Sequence, residues 1–256
     1  MRYTILMETV TVELYFSLAV ILWVAAFIKG VSGFGSSLIA IPLISFFLLS
    51  VAETRALVVS INALLNILML LKMRSLQRAA LKTFSPLIFG VIIASFASAL
   101  FLQTFLGVGF TVVLSLLLTL TALNKLFKTT WVIQRPRRYF FPVGLFGGAL
   151  NTLIGAGSVP VLIFLGNTTL KKDDFKAAIV FFLLVLNSAS LISFVAADVY
   201  PIITLGWVGA LYPVVFLGNR LGMRLAHVIP EKQFSQGLAV GLLALGLWGL
   251  VSTVMP

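Results

Sequence analysis

Ten apolar stretches follow one another along this chain, at about 14–28, 36–50, 56–71, 84–102, 105–124, 140–154, 158–166, 177–197, 202–218 and 236–252, and charge gathers almost entirely between them. A soluble fold could not use such material. With 61% hydrophobic and 10% charged residues over 256 positions, it would lack the charged surface that keeps a globular domain in water. A bilayer core about 30 Å thick asks for roughly 20 apolar residues per helix, and the chain supplies them repeatedly. The reading is an all-α polytopic membrane protein.

The charges orient it. Lys72, Arg74, Arg78 and Lys82 fall between the third and fourth stretches; Lys125, Lys128, Arg135, Arg137 and Arg138 between the fifth and sixth. Lys171, Lys172 and Lys176 follow the seventh, and Arg220, Arg224 and Lys232 follow the ninth. Placing these four loops inside makes fifteen of the eighteen basic residues cytoplasmic, as positive-inside insertion requires. Arg2 and Arg55 then fall outside and Lys29 within the membrane, so both termini are expected external in a multi-pass protein of the cytoplasmic membrane. The same asymmetry accounts for the net charge of +11 without a nucleic-acid partner. The N-terminal "MRYTILMETVTVELYF" lacks the basic start and the cleavage site of a secretory leader, so the first apolar stretch is expected to stay. There is no cysteine, which excludes disulfides, thiol catalysis and Cys-ligated metals.

The first, second, sixth and seventh stretches are short, and each short pair meets at a glycine-serine junction. Fifteen helical residues cover only about 22 Å, and non-helical backbone must be shielded from lipid by protein or water. Re-entrant or broken helices meeting near mid-depth fit best, although two thin crossings would leave the loop sides unchanged. The junctions also resemble each other. "KGVSGFGS" (Lys29–Ser36) answers to "NTLIGAGS" (Asn151–Ser158) at an offset of 122; "RALVV" from Arg55 answers to "KAAIV" from Lys176, and Asn66 to Asn187, both at 121. Each half thus reads as a glycine-broken pair followed by three spans. The pair contributes an even number of crossings, so the second copy inserts upside down, the inverted-repeat plan of secondary transporters. The divisions are 1–124, a first inverted repeat; 125–139, a basic cytoplasmic linker; and 140–256, a second inverted repeat.

Glycine costs roughly 1 kcal/mol inside a helix, so its recurrence with serine at both junctions calls for a reason beyond helix packing, the usual role of membrane glycines. Ser36 and Ser158 are placed to cap the helices that begin there, and Pro160 suits a first turn. Two helix N-termini aimed at one centre make an anion site. Lys29 adds a full charge there unless it snorkels to an interface, and Asn151 is its neutral counterpart. The candidate substrate-binding set is Lys29, Gly33, Gly35, Ser36, Ser37, Asn66, Asn151, Gly155, Gly157, Ser158 and Asn187. Asn62 lies one turn before Asn66; such amides also serve simply to join helices. Ser32, Thr152 and Ser188 are weaker candidates, and Ser60 and Ser190 read as background. Acids are confined to segment ends and loops, and His227 is the one histidine, so no proton relay, metal site, cofactor or catalytic residue is expected.

At "GVSGFGSSLIAIPLISFF", "GALNTLIGAGSVPVLIFLG", "KKDDFKAAIVFFLLVLN" and "VVFLGNRLGMRLAHVIPEKQFSQGLAVGLLALGLW" the chain resembles the sulfite exporter TauE/SafE family of membrane permeases, over about residues 14–252. The resemblance implies export of a small sulfur-containing anion such as sulfite, sulfoacetate or a related organosulfonate. Three departures bear on substrate more than on architecture. The first junction reads Gly35-Ser36-Ser37 where a glycine run is common, and the second reads Ser158-Val159-Pro160 where Gly-Pro-Pro is common. The fourth stretch lacks the glycine pair that the ninth keeps as Gly218 and Gly222. The expected partners are a small anion and the lipid bilayer, with no oligomeric state set by the sequence. An anion channel on the same scaffold and a membrane subunit that transports nothing are the rival readings, and an intramembrane enzyme ranks last.

Overall fold

The computed structural model describes residues 2–72, 77–101, 108–127, 133, 136–167 and 172–254. Among them the chain is all helical, with no β-strand. The order is α1 (Arg2–Ser32), α2 (Ser36–Phe47), α3 (Val51–Lys72), α4 (Gln77–Leu100) and α5 (Val108–Phe127); a short 3-10 turn (Pro136–Tyr139) follows, then α6 (Phe140–Ile154), α7 (Ser158–Gly166), α8 (Lys172–Ala196), α9 (Ile203–Leu225) and α10 (Glu231–Val254). Every apolar stretch of the sequence corresponds to one helix. Arg74, Lys128, Arg135 and Lys171 of the basic loops, and the connection around Gln103, lie outside the described residues.

Three segments among the described residues are long and apolar enough to cross a bilayer: Val12–Ser32 of α1, Val51–Leu68 of α3 and Gln233–Thr253 of α10. Side-chain exposure fits a lipid solvent. Along α1, Val12, Phe16, Val20 and Val24 face outward while Leu18, Leu22, Ala25 and Ala26 are buried. An outward aliphatic stripe of that kind would be an aggregation surface in water, and in hydrocarbon it is the matching face.

α1 runs four residues past the expected end at position 28, through Lys29 and Gly30. Gly30 does not break it because tertiary packing wants the missing side chain: a Cβ there would strike the Asn219 carbonyl oxygen and Gly222 on α9. Across the same contact, a Cβ on Gly218 would lie 2.6 Å from the Trp23 carbonyl oxygen. α6 meets α4 in the same manner, through Gly144 and Gly148 of α6 and Gly90 of α4, with a Cβ on Gly148 falling 2.6 Å from the Val91 carbonyl oxygen. These are backbone-to-backbone contacts of the small-residue kind that joins helices in lipid. The other principal pairs are α5 with α10, α3 with α8, α4 with α8, and α3 with α9.

Among the described residues two large apolar cores result, beside a small cluster around Val59 and Phe194. The larger gathers α1, α2, α3, α5, α9 and α10 around Ile41, Leu114 and Leu211, and it takes in Ile154, Ala156 and Val159 from the α6–α7 junction. The smaller gathers α4, α6, α7 and α8 around Leu87, Phe182 and Leu186, and Phe34 of the α1–α2 junction packs against it. Each junction is therefore set into the core built mainly by the other half of the chain.

Candidate anion-binding site

The first junction is organised by one amide. Lys29 occupies the last turn of α1 and is 2% exposed, so it does not snorkel; its Nζ donates to Asn62 Oδ1 on α3 at 2.7 Å. A cation at a helix C-terminus meets the negative end of the helix dipole, which offsets part of the cost of burying it. The chain then turns through Gly33 (φ 83°) and Gly35 (φ 90°), backbone that L side chains adopt at a cost of about 1–2 kcal/mol. α2 starts immediately after. Ser36 Oγ donates to Asn62 Oδ1 at 2.8 Å, and Asn62 Nδ2 donates to Ser37 Oγ at 3.1 Å. Both serines and the lysine thus converge on Asn62.

The second junction repeats the plan with neutral groups. α6 ends at Ile154 with Gly155 (φ 70°) as its cap, and α7 begins at Ser158. Asn151 Nδ2 donates to Ser190 Oγ on α8 at 2.9 Å and, more weakly, to the Leu186 carbonyl at 3.4 Å; the Thr152 and Ser190 hydroxyls lie 3.0 Å apart. Asn187 Nδ2 donates to the Leu183 carbonyl of its own helix at 2.7 Å.

Between the junctions lies a cavity of about 10 Å³. Lys29, Phe34, Gly35, Ser36, Ser37 and Asn62 line it from the first half, and Asn151, Ser158, Leu183, Leu186 and Asn187 from the second. It has room for about one water, and Lys29, Ser36, Asn62, Asn151, Ser158 and Asn187 on its wall are all buried. Of the candidates read from the sequence, Lys29, Gly35, Ser36, Ser37, Asn151, Ser158 and Asn187 come together on its wall. Gly33, Gly155 and Gly157 shape the turns behind it. Asn66 does not reach it: the residue is fully buried, and neither amide atom has a hydrogen-bond partner. No carboxylate lines the cavity. A cation, hydroxyls, amides and the starts of two helices, with no acid among them, form a donor-rich chamber suited to an anion.

A family model for the sulfite exporter TauE/SafE matches residues 18–249. The chain belongs to the TauE/SafE family. No curated protein and no solved structure matches it. TauE/SafE proteins are membrane transporters of sulfur anions rather than enzymes, and this one is accordingly a membrane-integral transport protein.

Some expectations for this TauE/SafE protein need correction. Ser36 and Ser158 do not cap their helices. The capping positions are Gly35 and Gly157, with no side-chain cap hydrogen bond. The Ser36 hydroxyl is instead committed across the chamber to Asn62, which a capping geometry would forbid. Arg55, placed on the external side by the charge count, is 1% exposed, a burial within the protein that the sequence did not signal and that leaves its side of the membrane open. Its Nη1 donates to the Leu153 carbonyl in the last turn of α6 at 2.6 Å, its Nε to the Val51 carbonyl at 3.2 Å, and its guanidinium carbon lies 5.9 Å from the centre of the Phe110 ring. One carbonyl at the end of α6, one at the start of α3 and an aromatic face replace part of its hydration, while Nη2 is buried without a partner.

Ser190, read as background, is the second-half group that receives Asn151 and Thr152. Its signal in the sequence was position, since it lies one helical turn beyond Asn187. The missing glycine pair of the fourth stretch also has its explanation. The close approach that Gly218 and Gly222 give α9 against α1 is supplied, between α4 and α6, by Gly144 and Gly148 of α6.

Proposed function

We propose that this chain exports a small sulfur oxyanion, a sulfonate or sulfite, across the cytoplasmic membrane by alternating access around the Lys29 chamber. The observation that carries the reading is an acid-free cavity wall to which both junctions contribute, with Lys29 as its one cation. A sulfonate spreads one charge over three oxygens. A lone ammonium with several hydroxyl, amide and backbone donors matches that distribution better than a cluster of arginines would. In this reading Lys29 neutralises the substrate, the backbone at Gly35–Ser37 and Gly157–Ser158 takes its oxygens, and Asn62, Asn151 and Asn187 complete the ring.

The inverted-repeat reading is supported by the helix pairings. At the offset of about 121 residues α1 corresponds to α6, and α4 to α9. The contact of α1 with α9 then becomes that of α6 with α4, the contact of α3 with α9 becomes that of α8 with α4, and α3–α8 and α5–α10 map onto themselves. Exchange of the two halves thus carries these principal pairs onto one another, although among the described residues α6–α8, α2–α10 and α5–α6 have no such counterpart; two halves packed in this way could rock about a shared centre. Energetics favour the outward direction. A membrane potential negative inside drives a monoanion out by about 2.3 kcal/mol per 100 mV, which needs no coupling acid, and none lines the chamber.

Counterflow in proteoliposomes tests this. Unlabelled sulfoacetate inside should drive saturable, transient accumulation of labelled sulfoacetate. Flux that never saturates and shows no trans-stimulation would make the protein a channel; no flux with any sulfonate or sulfite would leave only the non-transporting reading.

A further inference from the structure

We propose that Phe34 is the gate between the closed chamber and the water on the face of the α9–α10 and α7–α8 connections. The inference rests on the chamber reading above and adds to it the residue that controls entry. Phe34 is shared by three cavities. One is the chamber itself, about 10 Å³. The second, of about 230 Å³, lies between α2, α5 and α7 and is walled by Thr121, Asn124, Leu162 and Asn167 as well as Phe34. The third, of about 270 Å³, lies between the end of α1 and the α9–α10 connection, walled by Ser32, Ala226, Ile229 and Ser235 as well as Phe34. The last two reach connecting segments rather than the apolar flanks, and loop backbone is where a membrane protein meets water. The Ile133 N–H donates to the Asn167 carbonyl at 2.8 Å, joining the α5–α6 linker to the α7–α8 connection on that face. Phe34 is therefore the wall residue that a one-water chamber shares with two vestibules more than twenty times its volume.

The backbone around Phe34 is built to move it. Gly33 and Gly35 flank it, both at positive φ, and a Cβ placed on either would find nothing within 4 Å. Glycines held by close packing report a crowded backbone; these two report a backbone that turns in open space. Ser32 acts as the catch. Its Oγ donates to the Phe34 carbonyl at 2.6 Å or to that of Ile28 at 2.8 Å, and the Phe34 N–H donates back to Ser32 Oγ at 3.3 Å. The ring itself seats against the α4–α6–α7–α8 core. Closing buries aromatic surface in the opposite half of the molecule, so the gate is held shut by apolar burial and by a local hydroxyl, and opening it releases both. Ring withdrawal also uncovers Lys29, Ser36 and Asn62 from the loop side, the direction from which a cytoplasmic anion would arrive.

Thiol accessibility tests the gate without any substrate, so its failure would leave the oxyanion reading standing. The chain has no cysteine, so Ser158→Cys on the chamber wall gives the full-length protein a single reporter. The probe is 2-sulfonatoethyl methanethiosulfonate, applied to purified protein in detergent. Labelling should be slow in this background and rise about tenfold or more when Phe34→Ala is added. Ser32→Ala should raise it less, and Phe34→Trp should not raise it at all. Phe34→Ala protein that keeps the parent's thermal unfolding yet labels at the parent's rate would overturn the proposal. Should Phe34→Ala fail to fold, an unchanged rate in Ser32→Ala would overturn it equally. Acceleration of the same size by Leu162→Ala, which enlarges a vestibule and leaves the Phe34 side chain intact, would mean general loosening and would also sink it.

Discussion

The two junctions, Ser32-Gly33-Phe34-Gly35 and Ile154-Gly155-Ala156-Gly157, share a sequence plan and differ in almost every physical respect. At the first, both glycines stand in open space around a bulky aromatic residue, and a buried ammonium sits beside them. At the second, a Cβ on Gly155 would strike the Ile41 side chain, and one on Gly157 would strike the Gly147 carbonyl oxygen and approach the Asn151 amide nitrogen to 2.8 Å. The residue between them, Ala156, is buried. The cations differ as well: Lys29 ends its own helix α1, whereas the end of α6 is met by Arg55 from the other half. One junction is loose and plugged, with its cation on the chamber wall; the other is tight, and its cation, Arg55, does not line the chamber. A repeat can be symmetric in its scaffold while one copy carries the moving part and the charge and the other serves as the anvil.

The contrast is broken most readily through its glycines. Gly157→Ala should cost about 3 kcal/mol or prevent folding, because backbone and not a flexible side chain opposes the new Cβ. Gly35→Ala should cost only about 1 kcal/mol, the strain of positive φ. Thermal unfolding in detergent reads both, and the reverse order would abolish the distinction between a tight and a loose junction. Next comes charge. Lys29→Met should weaken sulfonate affinity by about 1.5–3 kcal/mol, roughly 10- to 150-fold, while leaving unliganded stability equal or higher, since a buried charge is removed. Asn151→Leu should weaken affinity by about 1 kcal/mol. Equal losses would mean that the halves share the charge-binding task.

Two smaller effects sharpen the assignment. Asn62→Leu should destabilise by about 1–3 kcal/mol, because it strands the Lys29 ammonium and the Ser36 hydroxyl. Asn66→Leu should be neutral or stabilise by about 1 kcal/mol, because that amide has no partner to lose. Ser190→Ala should cost about 1 kcal/mol of stability with transport retained, read by unfolding and by counterflow.

Helix order and the placement of both breaks were legible in the sequence, because glycine, serine and charge punctuate apolar runs wherever they end. α1 outran its expected end because Gly30 serves the α1–α9 contact, and a glycine's packing role is invisible until its neighbour is known. Asn62 and Asn66 share a face of α3, so helical period alone could not choose between them; the depth of the break chose Asn62. Arg55 read as external because it opens an apolar stretch, and only the carbonyl end of α6 explains its burial. Phe34 carried no signal at all, being one apolar residue among many. Its role comes from the volumes on either side of it.

Ligand-dependent stability of the parent protein beside Lys29→Met tests oxyanion binding in the chamber most directly. With sulfoacetate, sulfite, sulfate, acetate and sodium chloride in turn, the parent should be stabilised by the sulfur oxyanions above the chloride control, and the Lys29→Met protein by none of them. Equal stabilisation of both proteins, or stabilisation of the parent by cations alone, would contradict the claim that this chamber holds a small oxyanion.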